Sequence, residues 1–435
     1  MQTYTKPQTI ALHTGHRADP GAGSIAVPIH MTTSYDLGDS ENGRQLFALE
    51  KIGHLYTRVS NPTTDVLEQR IAALEGGVAA LATASGQAAI VLAIQNITHA
   101  GDNIVVSSEL YGGSVNLFAN TLPTMGIEVR FVDPRDPEAF RTAADDRTRA
   151  FYGESLPNPS LVPFPVQEVA LIGAELGIPL IIDNTCAPVI CRPIDHGAHI
   201  VVHSSTKYIG GHGTAIGGLI VDAGRFDWAA HAERFPMLNR PDPSYHGAVW
   251  VEAAGPLGPV AYLLKARATL LRDTGAAMSP FNAFLFLQGL ETLALRMREH
   301  CRNADTVALF LADHPAVARV IHPGHFTGWQ KERVDTYLGG RHGGLVGFEA
   351  IGGVDAGRRF IDALRMILHV ANIGDARTLA LQPAVSTHQQ LSETRQRAAG
   401  VTPGFVRLSV GIEDIDDILA DLSQALQAAA SLQAA

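Results

Sequence analysis

Lys207 lies in the run His203-Ser204-Ser205-Thr206-Lys207-Tyr208-Ile209-Gly210-Gly211-His212, straight after the apolar residues Ile200, Val201 and Val202. A lysine at a strand end with small neighbours can bring its amine close enough to a bound carbonyl to form a Schiff base. The hydroxyls one and three residues before it, on Thr206 and Ser204, can hold a phosphate at the same place. Read alone, the segment is equally well a strand-to-loop turn with a lysine in solvent.

Other residues with chemical potential fall at the ends of apolar runs, where ligands bind in open α/β sheets. Ser85-Gly86-Gln87 follows one run and begins a helical pattern, so its backbone N–H groups can cap a phosphate; it is also an ordinary helix start. Tyr111 offers a flat ring beside Gly112 and Gly113, and Asn158 follows a later run with a donor for an acceptor oxygen. Asp183 ends Pro179-Leu180-Ile181-Ile182, and a carboxylate there is costly unless a cation pairs with it. A protonated pyridine nitrogen is such a cation; an N-cap aspartate is the plainer reading. Taken jointly, an amine, a phosphate cradle, a stacking ring and a carboxylate fit the parts of pyridoxal phosphate.

The elements that must position these groups are legible as a pattern. Strands are expected at Ala79–Thr83, Asn103–Ser107, Glu128–Val132, Ala150–Gly153, Pro179–Ile182, His199–Val202 and Gly218–Val221. Helical spacing fills stretches between them, from Val66 to Gly76-Gly77, from Gln87 to Ile97 and from Val166 to Leu176. Strands so uniformly apolar, separated by helices, imply a mainly parallel seven-stranded sheet between helices. Residues 1–62 read as an irregular arm, 63–266 as the ligand-binding domain, and 267–435 as a smaller α+β C-terminal domain. That last part is expected to hold a helix from Phe281 to His300, a strand at Gly344–Ala350, a helix from Val354 to Leu364 and a final amphipathic helix through Ile415 and Leu426.

Composition narrows the function classes. Hydrophobic residues are 46% and charged residues 17%, which fits a well-buried enzyme of two domains. A net charge of −10 argues against nucleic acid and anionic membrane as partners. Three cysteines without paired spacing, no secretory start and no long uncharged apolar stretch point to a cytoplasmic protein. No metal is expected: His199 and His203 are four apart in a strand and cannot converge on one ion. Gly210 to Gly218 has neither P-loop nor dinucleotide spacing, and no G-x-S-x-G marks a serine hydrolase.

The strings LYTRVSNPT (55–63), ASGQAA (84–89), LYGGS (110–114), IIDNT (181–185), HSSTKYIGGHGTAIGG (203–218), PSYHG (243–247), SPFNAFLFLQGLETLALRM (279–297) and RLSVGIED (407–414) extend the case. Through them the chain resembles the fold-type I pyridoxal-phosphate enzymes of cysteine and methionine metabolism, from about residue 9 to 430. Within that group it looks most like the O-acetylhomoserine sulfhydrylases, the aminocarboxypropyltransferase branch. The resemblance implies that Lys207 carries the Schiff base and then moves protons, that Asp183 pairs with the ring nitrogen, and that Tyr111 stacks on the ring. It assigns Asn158 to the ring hydroxyl and Gly86, Gln87, Ser204 and Thr206 to the phosphate. Tyr56 and Arg58 would complete the phosphate site of a neighbouring subunit in a homotetramer, while Arg407, with Asn372 nearby, would clamp the substrate α-carboxylate.

The implied reaction is γ-replacement on O-acetylhomoserine, or another O-activated homoserine, by sulfide or a thiol. The rivals are a γ-lyase that releases 2-oxobutanoate from methionine or cystathionine, and a specialised γ-replacement homologue in a secondary pathway. The chain departs from the family pattern at Pro157, Ser160, Gln382 and Val385. Gln382 and Val385 are expected near the substrate mouth, where they would alter its polarity.

Overall fold

The computed structural model describes residues 4–386, 389 and 401–430. Its larger sheet is built from β1 (Ala79–Thr83), β2 (Asn103–Ser107), β3 (Glu128–Val132), β4 (Thr148–Glu154), β5 (Leu180–Asp183), β6 (Ile200–Ser204) and β7 (Gly218–Asp222). Their order across the sheet is β1-β7-β6-β5-β4-β2-β3. Neighbours pair in parallel except at β7, which runs antiparallel to both β1 and β6.

Side-chain alternation explains why the inner strands carry no polar face. Val105, Phe151, Ile182, Val201 and Leu219 enter one core, while Val106, Tyr152, Ile181, Val202 and Ile220 enter the other. Successive residues point to opposite faces, so a strand covered on both sides must be apolar throughout. The helix Pro62–Glu75 starts on an Asn61 cap and ends at Gly76 in left-handed geometry (φ 78°). The helices Gly86–Gln95 and Val166–Leu176 connect successive strands.

A second sheet contains β8 (Val317–Ile321), β9 (Leu345–Ala350), β10 (Leu368–His369), β11 (Leu379–Leu381) and β12 (Phe405–Ser409), in the order β10-β11-β12-β9-β8. The helices Leu293–Ala312, Gly353–Ala363 and Ile415–Ala430 close its core around Phe348, Phe360, Val406 and Leu422.

Three local expectations differ from the fold. The helix expected over 281–300 is two helices, Pro280–Glu291 and Leu293–Ala312, separated by Thr292 at φ −106° and ψ 3°. Both halves are apolar on the buried side, so periodicity does not register the break. Residues 1–60 are not wholly irregular: Pro7–His13 and Ser40–Phe47 are helical, the second capped by Asp39. Residues 261–274 form a continuous helical run with a π-turn at Arg267–Leu271, which the sequence pattern does not announce.

Asp222, at the end of β7, is 1% exposed. Its Oδ1 accepts from the Gly224 N–H at 2.8 Å, and its Oδ2 has no partner. Burial pushes its pKa up to about 7 from 3.8, so the folded chain holds a proton there that the unfolded chain releases. The linked stability is fully present below about pH 4 and is lost as pH rises through about 7. Asp222→Asn should remove that component. Between about pH 5 and 8 the wild type should lose roughly 1–4 kcal/mol relative to the variant, read as diverging melting temperatures. A constant difference across that range would contradict this reading.

Candidate active site

A cavity of about 270 Å³ opens at the carboxyl ends of the larger sheet. Each strand end delivers a side chain because the chain leaves the hydrogen-bonded ladder there and can turn a polar group towards solvent. Ser85 and Gly86 follow β1, Tyr111 follows β2, Glu154 ends β4, Asp183 ends β5 and Ser204 ends β6. The opposite wall comes from the second sheet, through Asn372 after β10 and Arg407 on β12.

Ser85 caps the helix Gly86–Gln95, its Oγ accepting from the Ala88 N–H at 3.1 Å, and so aims the helix N-terminus at the cavity. Gly86 is required by proximity: a Cβ there would stand 2.6 Å from Ser204 Cβ. That helix end, Ser204 and Thr206 line the same part of the cavity, an arrangement that could hold an anion. Thr206 is fixed by the Gly217 N–H, which donates to its Oγ1 at 3.1 Å.

Lys207 is half-buried, and its Nζ donates to Asn372 Oδ1 at 2.5 Å. Burial, and secondly the Arg407 charge, hold its pKa below the usual lysine range. The loop after it is clamped by Arg296, whose guanidinium donates to the carbonyls of Tyr208 (2.8 Å), Ile209 (3.2 Å) and Gly289 (2.7 Å). Gly211 has φ 69°, and a Cβ there would meet Arg296 Nη1 at 2.3 Å, so only glycine fits beside that clamp.

Asp183 accepts from the Thr185 N–H at 2.9 Å and from the Tyr152 hydroxyl at 3.5 Å. No Lys or Arg pairs with it among the described residues. Burial therefore raises its pKa. Arg407 shows the converse deficit. It is 9% exposed, its Nη2 donates to Asn372 O at 2.9 Å, and its Nε has no partner.

These deficits are those that pyridoxal phosphate and an amino-acid substrate would fill. The cofactor would offer an aldehyde to Lys207, a ring nitrogen to Asp183 and a phosphate to the helix end at Gly86, while a substrate carboxylate would answer Arg407. The Tyr111 ring, half exposed to the cavity mouth, and Asn158, 8% exposed, flank the same space. The residues present fit the cofactor.

Two sequence candidates lie elsewhere. Arg58 stacks over the Tyr56 ring at 5.2 Å and donates to the Arg272 carbonyl, and neither side chain lines the cavity. The PSYHG segment is next to them, with Arg272 over the Tyr245 ring at 5.7 Å. The expectation for Gln382 and Val385 is corrected. Gln382 is 1% exposed and its amide donates to Val354 O (3.0 Å) and Pro403 O (3.1 Å). It faces the start of the helix Gly353–Ala363, and neither it nor Val385 lines the cavity. Thr387 and His388 lie outside the described residues. Ser160 donates to Glu109 Oε2 at 2.7 Å, which ties down the loop carrying Asn158.

Sequence reasoning missed Glu154. It pairs in register with Asp183, and its Oε1 accepts from the Tyr111 N–H at 2.7 Å. Burial and the neighbouring Asp183 charge raise its pKa well above the carboxylate range. The signal was available, since Glu154 directly follows the expected strand Ala150–Gly153. Cys186 also lines the cavity, and burial pushes its thiol pKa up, so it is a neutral thiol.

Comparisons with known proteins agree with this geometry. A sequence profile described as "Cys/Met metabolism PLP-dependent enzyme" matches residues 8–427. The chain is 53% identical to an O-acetyl-L-homoserine sulfhydrylase of Leptospira meyeri over 434 residues, covering 98% of both chains. It is 47% identical to a homocysteine synthase of Schizosaccharomyces pombe, over 97% of this chain and 98% of that one. A Campylobacter jejuni crystal structure, for which an O-acetylhomoserine (thiol)-lyase activity is suggested, contains N'-pyridoxyl-lysine-5'-monophosphate. It superposes with a TM-score of 0.93 at 38% identity, over 97% of this chain and 100% of that chain. The fold is that of fold-type I pyridoxal-phosphate enzymes, and the chain belongs to the Cys/Met metabolism PLP-dependent family.

Proposed function

We propose that this chain replaces the acyloxy group at Cγ of an O-activated homoserine, with O-acetylhomoserine as donor and sulfide or a thiol as the incoming group. The products are acetate and homocysteine or a thioether. The observation that carries this reading is the 53% identity to the Leptospira meyeri sulfhydrylase along nearly the full length of both chains.

Bound here, pyridoxal phosphate supplies an electron sink that lets Cα and then Cβ be deprotonated, which departure of a group from Cγ requires. The chain's residues do the rest. Arg407 clamps the α-carboxylate, with its unpartnered Nε and its Nη2 forming the fork. Asn372 holds both ends of this arrangement, its Oδ1 on Lys207 Nζ and its carbonyl oxygen on Arg407. The Lys207 amine, with its lowered pKa, moves protons at successive carbons. Asp183 holds the ring nitrogen, Tyr111 covers the ring and assists proton transfer, and Asn158 contacts the ring hydroxyl. Gly86, Gln87, Ser204 and Thr206 hold the phosphate.

Tyr56 and Arg58, remote from this chain's own cavity, serve the phosphate of a neighbouring subunit in a homotetramer. The three-part division at 62/63 and 266/267 belongs to the same proposal; the two sheets, within residues 79–222 and 317–409, support two domains, although helical runs span both boundaries. Action in the cytoplasm is also part of the proposal, supported by three free, buried cysteines. No described helix is long and apolar enough to cross a membrane.

With O-acetylhomoserine, homocysteine should form only when sulfide is present. Strong 2-oxobutanoate release from methionine would instead establish the γ-lyase reading. Lys207→Ala should lose the visible absorbance of lysine-bound cofactor and reduce turnover by roughly 10²–10⁴-fold or more. A retained band would place the linkage at another residue. Arg407→Gln should raise KM for O-acetylhomoserine by roughly 10–100-fold, the worth of a hydrogen bond to a charged group, with a smaller effect on kcat. An unchanged KM would remove Arg407 from substrate binding.

A further inference from the structure

Three ligand-type side chains that share no sequence motif meet outside the active cavity. Asp305 is on the helix Leu293–Ala312, His322 directly follows β8, and His342 lies on the turn before β9. One donor atom from each lies within 4.8 Å of the other two. His342 Nδ1 is 2.7 Å from Asp305 Oδ1, and His322 Nε2 is 3.7 Å from that same oxygen.

His322 distinguishes this cluster from an ordinary histidine–carboxylate pair. It is 1% exposed, and its Nε2 has no hydrogen-bond partner. At 3.7 Å, Asp305 is beyond hydrogen-bond reach of that nitrogen. Leaving a buried polar atom unpaired is costly, so a group that engages it there is favoured. The other two side chains open the cluster to solvent, Asp305 being 42% and His342 25% exposed, which gives an ion a way in.

We infer that Asp305, His322 and His342 form a binding site for a divalent transition-metal ion of the zinc type. Two imidazoles and one carboxylate make a borderline-soft donor set that suits Zn²⁺ rather than Mg²⁺ or Ca²⁺. Donors about 2.1 Å from a tetrahedral ion stand about 3.4 Å apart, a spacing between the two distances seen here. Water can take the fourth position. His322 Nδ1 now accepts from the Gly324 N–H at 3.2 Å, which leaves the ring proton on Nε2. Coordination through Nε2 moves that proton to Nδ1 and turns the Gly324 N–H to solvent, where exposed Gly324 permits it. The charge of the ring does not change.

The ion would join a helix, a strand end and a turn of the second sheet, and none of its ligands lines the active cavity. Its role is therefore structural and does not depend on the reaction assigned above. The test uses the full-length, cofactor-loaded enzyme, freed of metal with a chelator and titrated with Zn²⁺ by calorimetry. The comparison protein is an Asp305→Ala/His342→Ala variant, altered only at the two solvent-open positions. The wild type should bind about one more ion per chain than the variant, and Zn²⁺ should raise the melting temperature of the wild type only. Anomalous scattering at the zinc edge from a soaked wild-type crystal should place a peak among the three side chains. This measurement decides the matter even if the variant does not fold. Equal zinc binding by the two proteins, or a peak absent from the cluster, would overturn the inference.

Discussion

The site is organised around a half-buried carboxylate that no Lys or Arg pairs with among the described residues. Asp183 ends a strand whose preceding residues Leu180, Ile181 and Ile182 are fully buried, so it is held at the edge of the core. The Thr185 N–H and, at longer range, the Tyr152 hydroxyl steady it. Desolvation raises its proton affinity, and its charge in turn raises that of the adjacent Glu154 carboxylate. Such a site favours a cationic ring nitrogen because that partner supplies what the fold withholds.

The other groups are set relative to that point by a buried polar network beneath the strand ends. Asn184 accepts from Ser155 Oγ at 2.7 Å and donates to Glu75 Oε1 at 3.0 Å, and Glu75 also meets His203 Nε2 at 2.9 Å. These contacts tie β4, β5, β6 and the helix Pro62–Glu75 together below the cavity. The Arg296 clamp then fixes the loop that follows Lys207. Networks of this kind hold strand-end geometry because every displaced member would leave a polar group unpaired.

Much of this was legible in local sequence. Lys207, Asp183, Ser85 and Ser204 sit where uniformly apolar runs end, and apolar runs covered on two faces are a local property. Glu154 escaped because its meaning comes from register: it matters through standing opposite Asp183 on the neighbouring strand. Gln382 misled for a related reason. Its position follows β11 closely, but the local turn sends its amide to the Val354 and Pro403 carbonyls.

The sequence by itself determined the strands of the larger sheet, the residue types at their ends and, through long matching strings, the family. Burial on both faces leaves an unbroken apolar imprint, and backbone turns demand particular residues, so both can be read along the chain. Only the tertiary structure decided which of those residues face one another. It set Arg407 of the second sheet across from Lys207 of the first, placed Tyr56 and Arg58 away from the cavity, and brought Asp305, His322 and His342 together. Those relations depend on crossover order, register and side-chain direction between distant segments, which no local pattern records.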